Sequence, residues 1–496
     1  MAITSNNELS AALSSHVKEG FYIGGSWVSS KGGTRHPLVS PVTGEPWVDV
    51  PLATFEDVDA AIDAARAAFD SGPWPRMAPA ERAAALRRLA QAISEKAELF
   101  TALWAGQVGA PVGFGGMFSG FAPATLLYYA DLAEQFTFSD DRKGPFGSAL
   151  VEKTPVGVVA VVTPWNAPMQ LMTFKLAPAL ATGCTCVIKS SPETPFDALC
   201  MAELTEAAGI PPGVINVLTA DRDAGAHLVA SPRIDKVSFT GSTPAGKAVG
   251  TAALQNMTRF TLELGGKSAA ILMEDVDLSA ALPSLIPFTM PFSGQICFAQ
   301  TRILAPRSRL NEITQACAAV FKSLTVGEPF NPSTQLGPLS TKSQLNRVTS
   351  YIESGLSAGA TLVTGGGRPS WADKGYWIEP TLFANVTSEM KIAQEEIFGP
   401  VICIMAYEND ADAIRLANAT EFGLSGSVFG QDTDRALAVA RGMLTGHVGI
   451  NGLSLMPGLP FGGYKRSGIG REGGIEGFES FLETKAIYGI PEVSAP

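Results

Sequence analysis

The segment SGQICFAQTR (293–302) sets Cys297 just after a Gly-Gln pair and before Phe298, where polar residues interrupt the apolar pattern. A thiol so placed can be a small core hydrophobe, half of a disulfide, a metal ligand or a nucleophile. As a thiolate it attacks electrophilic carbon, and from a thioester it departs readily. The other cysteines are Cys184, Cys186, Cys200, Cys317 and Cys403, and the histidines are His16, His36, His227 and His447. Cys184-Thr185-Cys186 has the wrong spacing for a zinc knuckle, and no histidine stands at ligand spacing from a cysteine, so no metal is expected. Scarce histidine also counts against a Cys-His hydrolase. Six cysteines in 496 residues suit free thiols in a reducing compartment. On residue type alone, buried hydrophobe and nucleophile both stay open.

Three other stretches carry groups that could do chemistry. In TPWNAP (163–168) the Asn166 amide can aim an N–H at an oxygen, or simply make a turn before Ala-Pro. In VIKSSPETP (187–195), Lys189 can hold a phosphate or a ribose hydroxyl, or snorkel to the surface. In SFTGSTPAG (238–246), Gly241 and Gly246 permit close backbone approach at a helix N-terminus, which attracts pyrophosphate, although the spacing is not GxGxxG.

The elements that must position these groups alternate. Residues 54–70 predict a helix, with Thr54 and Asp57 forming a capping box, and 79–108 a longer helical stretch. Strand 157–165 is followed by helix 168–183, strand 184–190, helix 194–209 and strand 214–220. A short helix near 223–230, strand 236–242 and a helix from about 244 complete this half. The alternation returns in strand 301–306 and helix 310–324. A Gly- and Pro-rich stretch, 327–380, then precedes the strands and helices of 401–451. Apolar strands alternating with helices imply parallel sheets covered on both faces, so the fold class is α/β with two α/β domains. Asn166, Lys189 and Gly241 all follow strands, where open α/β sheets bind ligands.

Composition excludes several classes. Hydrophobic residues make up 46% and charged residues 17%, as in a globular chain, and the net charge of −11 disfavours nucleic acid and anionic membrane surfaces. The first twenty residues show no basic segment followed by an apolar core, and no run approaches ~18 apolar residues. A cytoplasmic protein with no membrane partner is expected.

TPWNAP, Lys189, FTGSTPAG, LELGGKSA (262–269), GQIC (294–297), EEIFGPV (395–401) and PFGGYKRSG (460–468) occur in this order. The set resembles the NAD(P)-dependent aldehyde dehydrogenase superfamily from about residue 20 to about 490. The resemblance implies a Rossmann-like cofactor domain (1–135 and 156–265), a catalytic domain (266–475) and a small oligomerisation element (136–155 and 476–496). It implies oxidation of an aldehyde to the acid through a thiohemiacetal and a thioester on Cys297. Asn166 and the Cys297 N–H would form the oxyanion hole, Glu263 would activate water, and Lys175 and Glu483 would relay protons. Thr163, Pro164, Trp165, Lys189, Gly241, Ser242, Gly246, Leu264, Glu396 and Phe398 would hold the cofactor. Ala167, Gln170, Phe174, Ile296, Phe298, Leu453, Leu455 and Phe461 would line the substrate site. Only Gln170 among these is polar, which favours an uncharged apolar aldehyde over a carboxylated or cationic one. The resemblance also implies a homodimer or homotetramer.

The sequence departs from the pattern at two informative places. Pro192 stands where many relatives carry a glutamate, with Glu193 one further; NAD is expected and NADP is the alternative. Met290-Pro291-Phe292 stands where relatives often have an asparagine upstream of the cysteine motif, and Phe292 would reshape the approach to Cys297. A CoA-acylating semialdehyde dehydrogenase tends to lack the LELGG glutamate, and a non-catalytic relative would have lost Cys297, Glu263 or Asn166. All three are present.

Overall fold

The computed structural model describes residues 3–489. Its first sheet has eight strands, in the order Ser26–Ser29, Gly20–Ile23, Ile215–Thr219, Thr185–Ser190, Val158–Val162, Lys236–Thr240, Arg259–Glu263, Gly468–Ile469. The five strands from Ile215–Thr219 to Arg259–Glu263 are mutually parallel, and the flanking ones are antiparallel. Chain order reverses between Val158–Val162 and Lys236–Thr240. That switch opens a crevice beyond their carboxyl ends, where Thr163–Asn166 and Gly241–Ser242 lie. Val158–Val162, Thr185–Ser190, Ile215–Thr219 and Lys236–Thr240 are buried at every position, because helices cover both faces.

The second sheet has seven strands, Thr361–Thr364, Thr381–Ala384, Val401–Tyr407, Arg302–Pro306, Ala269–Leu272, Ser425–Phe429 and His447–Ile450, parallel apart from the first. It too is an α/β layer, so the expected fold class holds. The strand Gly468–Ile469 comes from the far end of the chain yet pairs with Leu262 and Glu263 at the edge of the first sheet. A third sheet joins Ser139–Gly144, Gly147–Pro155 and Leu482–Tyr488. The last residues of the expected oligomerisation element, 490–496, lie outside the described residues.

Helix Phe55–Asp70 starts at Thr54 with the reciprocal Thr54–Asp57 box. Helix Pro168–Thr182 ends at left-handed Gly183 (φ 100°). Elsewhere the sequence expectation is corrected. Residues 79–108 form two helices, Pro79–Glu95 and Ala97–Val108, because Lys96 leaves helical geometry (φ −104°, ψ 14°). Helix 194–209 shrinks to Phe196–Ala202. Beyond it the Thr205 hydroxyl bonds the Ala202 carbonyl (2.8 Å) and the Tyr22 hydroxyl (3.0 Å), holding tight turns in place of helix. The 327–380 stretch contains a 16-residue helix, Lys342–Ser357, capped by Thr341. No helix among the described residues is long and apolar enough to cross a membrane.

Candidate active site

Cys297 lies between the tight turn Pro291–Gly294 and strand Arg302–Pro306. Three successive residues there are left-handed: Phe292 (φ 51°), Ser293 (φ 59°) and Gly294 (φ 73°). A bulky residue in that region is strained, and such strain persists only where surroundings over-determine it. Here the surroundings are explicit. The Phe292 ring packs against Trp104 (centroids 4.1 Å), Phe118 (5.1 Å) and Phe114 (5.8 Å). The Ser293 hydroxyl donates to the Gly337 carbonyl at 2.7 Å. The Gln295 amide donates to the Phe292 carbonyl and accepts from the Ser340 N–H, both at 2.9 Å. A β-carbon on Gly294 would lie 2.2 Å from the Gly399 carbonyl, so the cysteine loop and the 395–401 loop touch backbone to backbone.

Of the six cysteines, five are buried and Cys297 alone is partly exposed. Burial still pushes its thiol well above the usual range, and the Glu396 and Glu263 carboxylates push the same way. The resting group is a neutral thiol that needs a proton acceptor before it can attack.

Asn166 follows strand Val158–Val162 and is buried. Its Nδ2 donates to the Gln295 carbonyl at 2.9 Å, which leaves the second amide N–H to point elsewhere. Glu263 ends strand Arg259–Glu263, and neither carboxylate oxygen has a hydrogen-bond partner among the described residues. Burial, then Glu472, raise its pKa well above the usual carboxylate range; Lys175 and Arg471 pull against them.

Lys175, fully buried, donates to Thr240 Oγ1 (2.6 Å) and to Glu472 Oε1, which also accepts from the Ser238 hydroxyl (3.2 Å). The carboxylate beside Lys175 is therefore Glu472, and the expectation for Glu483 is corrected. Glu483 sits in the outlying strand Leu482–Tyr488, 44% exposed, paired with Arg259 at 2.9 Å. Strand alternation and an available surface arginine turn it outward.

The cofactor positions line the crevice. Lys189 ends strand Thr185–Ser190; its Nζ donates to the Ser190 carbonyl (3.2 Å), and burial lowers its pKa to about 8 against the pull of Glu193 and Asp221. Thr163 donates through N–H and hydroxyl to the Lys189 carbonyl (3.1 and 3.2 Å), tying the two strand ends together. Gly241 follows strand Lys236–Thr240, and Ser242 caps the exposed first turn of helix Thr243–Gln255. A β-carbon on Gly246 would lie 2.4 Å from a methyl of Leu264, so glycine lets that turn sit low without moving the Leu264 side chain. Glu396 accepts from the Gly266 N–H (3.0 Å), and burial raises its pKa to about 7. Phe398 (φ 63°) stacks edge-on against Trp165 at 5.5 Å, with Pro164 next to Trp165.

Ala167, Ile296, Phe298, Leu453, Leu455 and Phe461 share one apolar cluster with Cys297. Phe174 joins through Phe461 (6.0 Å), and the Gln170 amide donates to the Phe118 carbonyl (3.3 Å).

A sequence profile of the aldehyde dehydrogenase family matches residues 27–487. The chain belongs to the aldehyde dehydrogenase family. It is an oxidoreductase that takes an aldehyde to the carboxylic acid. Geranial dehydrogenase of Castellaniella defragrans is 43% identical over 94% of this chain and 98% of its own. The crystal structure of a Mycobacterium tuberculosis aldehyde dehydrogenase complexed with NAD+ superposes with a TM-score of 0.94 at 44% identity, covering 97% of this chain and 99% of that one. A cysteine-to-alanine mutant of Pseudomonas syringae aldehyde dehydrogenase C, complexed with NAD+ and octanal, gives 0.94 at 39% identity, covering 97% and 99%.

Within this aldehyde dehydrogenase, three residues escape sequence reasoning. Glu472 lies in a Gly-Arg-Glu-Gly run that offers a polar signal but no partner, since Lys175 is 297 positions away. Gln295 is legible only as part of GQIC, and its bonding is tertiary. Trp104 reads as one more apolar residue of a helix.

Proposed function

We propose that this chain is an NAD-dependent aldehyde dehydrogenase for uncharged apolar aldehydes, with Cys297 as nucleophile, Asn166 as oxyanion donor and Glu263 as general base. The reading is carried by a partly exposed thiol whose own carbonyl lies 2.5 Å from a would-be β-carbon on Gly266, three residues beyond a buried carboxylate, Glu263, whose oxygens have no hydrogen-bond partner among the described residues. Residues 163–166, Lys189, 241–246, Leu264, Glu396 and Phe398 suit a dinucleotide. Lys189 keeps unused donors in a buried strand end, Gly246 gives a low helix turn, and Glu396 has acceptor capacity for ribose hydroxyls. Glu193 and Asp221 act on Lys189 electrostatically, which disfavours a 2′-phosphate and supports NAD over NADP. When bound, the dinucleotide supplies the hydride acceptor.

The chain's own residues do the remainder. The thiol proton passes to Glu263 or to water, Cys297 sulfur bonds the aldehyde carbon, and the carbonyl oxygen takes the negative charge. The free N–H of Asn166 and the Cys297 N–H stabilise that oxygen. Loss of hydride from the carbon leaves a thioester. Glu263, a stronger base for being desolvated, takes a proton from water; the hydroxide oxygen bonds the acyl carbon and the C–S bond breaks, releasing acid and thiolate. The buried Lys175–Glu472 pair lies along the route by which Glu263 can pass that proton on. A lining without charge favours aliphatic, aromatic or terpenoid aldehydes. Geranial dehydrogenase, by its name, and the octanal complex accord with such substrates.

The division into cofactor domain (1–135, 156–265), catalytic domain (266–475) and oligomerisation element is part of this proposal, as are a homo-oligomeric state and cytoplasmic residence. The third sheet brings 136–155 and the C-terminal strand together, and all six cysteines are free thiols. Cys297→Ala is expected to abolish NADH formation across a panel of charged and apolar aldehydes while NAD binding persists. Turnover by that variant overturns the nucleophile; a preference of the unaltered enzyme for carboxylated or cationic aldehydes overturns the substrate class.

A further inference from the structure

Trp104 is buried in helix Ala97–Val108, and its indole N–H donates to the main-chain carbonyl of Asn166 at 2.8 Å. The same ring lies 4.1 Å from Phe292 and 5.6 Å from Phe118. Asn166 stands in irregular backbone between a strand end and helix Pro168–Thr182, whose cap residue Ala167 has φ −142° and ψ 65°. No ladder fixes the peptide there. Its orientation is set from two sides, by Gln295 on the side-chain amide and by Trp104 on the main-chain carbonyl.

We propose that Trp104 is a positioning residue for the oxyanion donor. Its N–H anchors the Asn166 peptide so that the free amide N–H stays aimed at the oxygen that gains charge on Cys297. Its ring also braces left-handed Phe292, so one side chain aligns the asparagine with the loop that carries the thiol. The inference rests on the oxyanion role proposed above for Asn166. Removing the N–H leaves a buried carbonyl without its donor, and the peptide turns to find another. A small turn moves the amide off the oxyanion, which weakens the transition state and leaves binding of the uncharged aldehyde largely alone.

The test is a double-mutant cycle with hexanal and benzaldehyde. Trp104→Phe is expected to lower kcat about tenfold, the scale of one hydrogen bond, with aldehyde KM and NAD affinity changed less than about twofold. Asn166→Ala should lower kcat on the order of 100-fold, and adding Trp104→Phe to it should lower it no further. A losing step confined to KM, a Trp104→Phe enzyme with unaltered kcat, or full additivity in the double variant overturns the inference. A loss of only a few-fold in Asn166→Ala sinks the oxyanion role itself, and is read from that arm alone. Should Trp104→Phe fail to fold, β-(3-benzothienyl)alanine at position 104 keeps the indole shape without its N–H. The same kcat loss is expected there, and unchanged kcat overturns the inference.

Discussion

Glu263 combines burial, two oxygens without partners and a raised pKa, and each sharpens its behaviour as a base. Glu263→Gln keeps the shape and removes the proton acceptor, so turnover is expected to fall roughly 100-fold or more. If Glu263 serves hydrolysis alone, a stopped-flow burst of NADH near one equivalent per site survives, with the acyl group trapped on Cys297 and seen by mass spectrometry of the quenched enzyme; if Glu263 also takes the thiol proton, the burst itself slows. Unchanged steady-state turnover would make Glu263 a structural carboxylate. Because the carboxyl must lose its proton to act, thioester hydrolysis should slow as pH falls through its raised pKa. His447 gives a stability prediction of opposite character. Its ring nitrogens are buried without a hydrogen-bond partner among the described residues, and burial, then Arg471, lower its pKa from 6.5 to about 4. The unfolded chain binds that proton below about 6.5 and the folded one only below about 4, so its contribution is present above 6.5 and lost as pH falls between the two. Thermal melts of His447→Phe should show a flatter decline than the unaltered enzyme over that window; parallel curves would dismiss the effect. Cys297, Asn166 and Glu263 were legible because short ordered motifs surround them. Glu472 was not, because its meaning is the salt bridge to Lys175, and only folding brings the two together.

At the scale of elements, the cysteine loop depends on Gly294. Its left-handed φ of 73° and the 2.2 Å approach of the Gly399 carbonyl to a would-be β-carbon leave no room for a side chain. Gly294→Ala is expected to lower Tm by several degrees and to weaken both turnover and NAD affinity, since the 395–401 loop must shift as well. A melting curve and kinetics matching the unaltered enzyme would show that the two loops are independent. Most strands and helices of the first half were readable, because buried parallel strands are continuous apolar runs and their helices carry caps such as Thr54. Helix Lys342–Ser357 was hidden by the Gly and Pro content of the surrounding stretch, although Thr341 and the apolar row Leu345, Val348, Ile352 mark it. The left-handed run at Phe292 and Ser293 carried no signal at all, since neither residue favours that backbone and the aromatic cluster that holds it is assembled from distant helices.

Over the whole molecule, the three-stranded sheet ends in strands Ser139–Gly144 and Leu482–Tyr488, the first exposed throughout, with Phe146 fully exposed at the hairpin turn. Open edges of this kind invite pairing. Light scattering at micromolar concentration should find a dimer or tetramer, and deletion of 482–496 should give a monomer; a monomeric full chain would refute the oligomer. The strand Gly468–Ile469 has another kind of consequence. It seals the edge beside Leu262 and Glu263, and the residues just after it deliver Glu472 to Lys175. Chains are made from the N-terminus, so the segment bearing Glu263 is translated long before the segment that completes its surroundings. At roughly 5–20 residues per second, the roughly 200 residues between them take on the order of ten to forty seconds to synthesise. During that interval the nascent chain already carries Asn166 and Glu263 but cannot yet close the site. Translation itself is thus a timer on activity, and any message cut short before the codons for 468–472 yields a chain whose sheet edge beside Glu263 is unsealed.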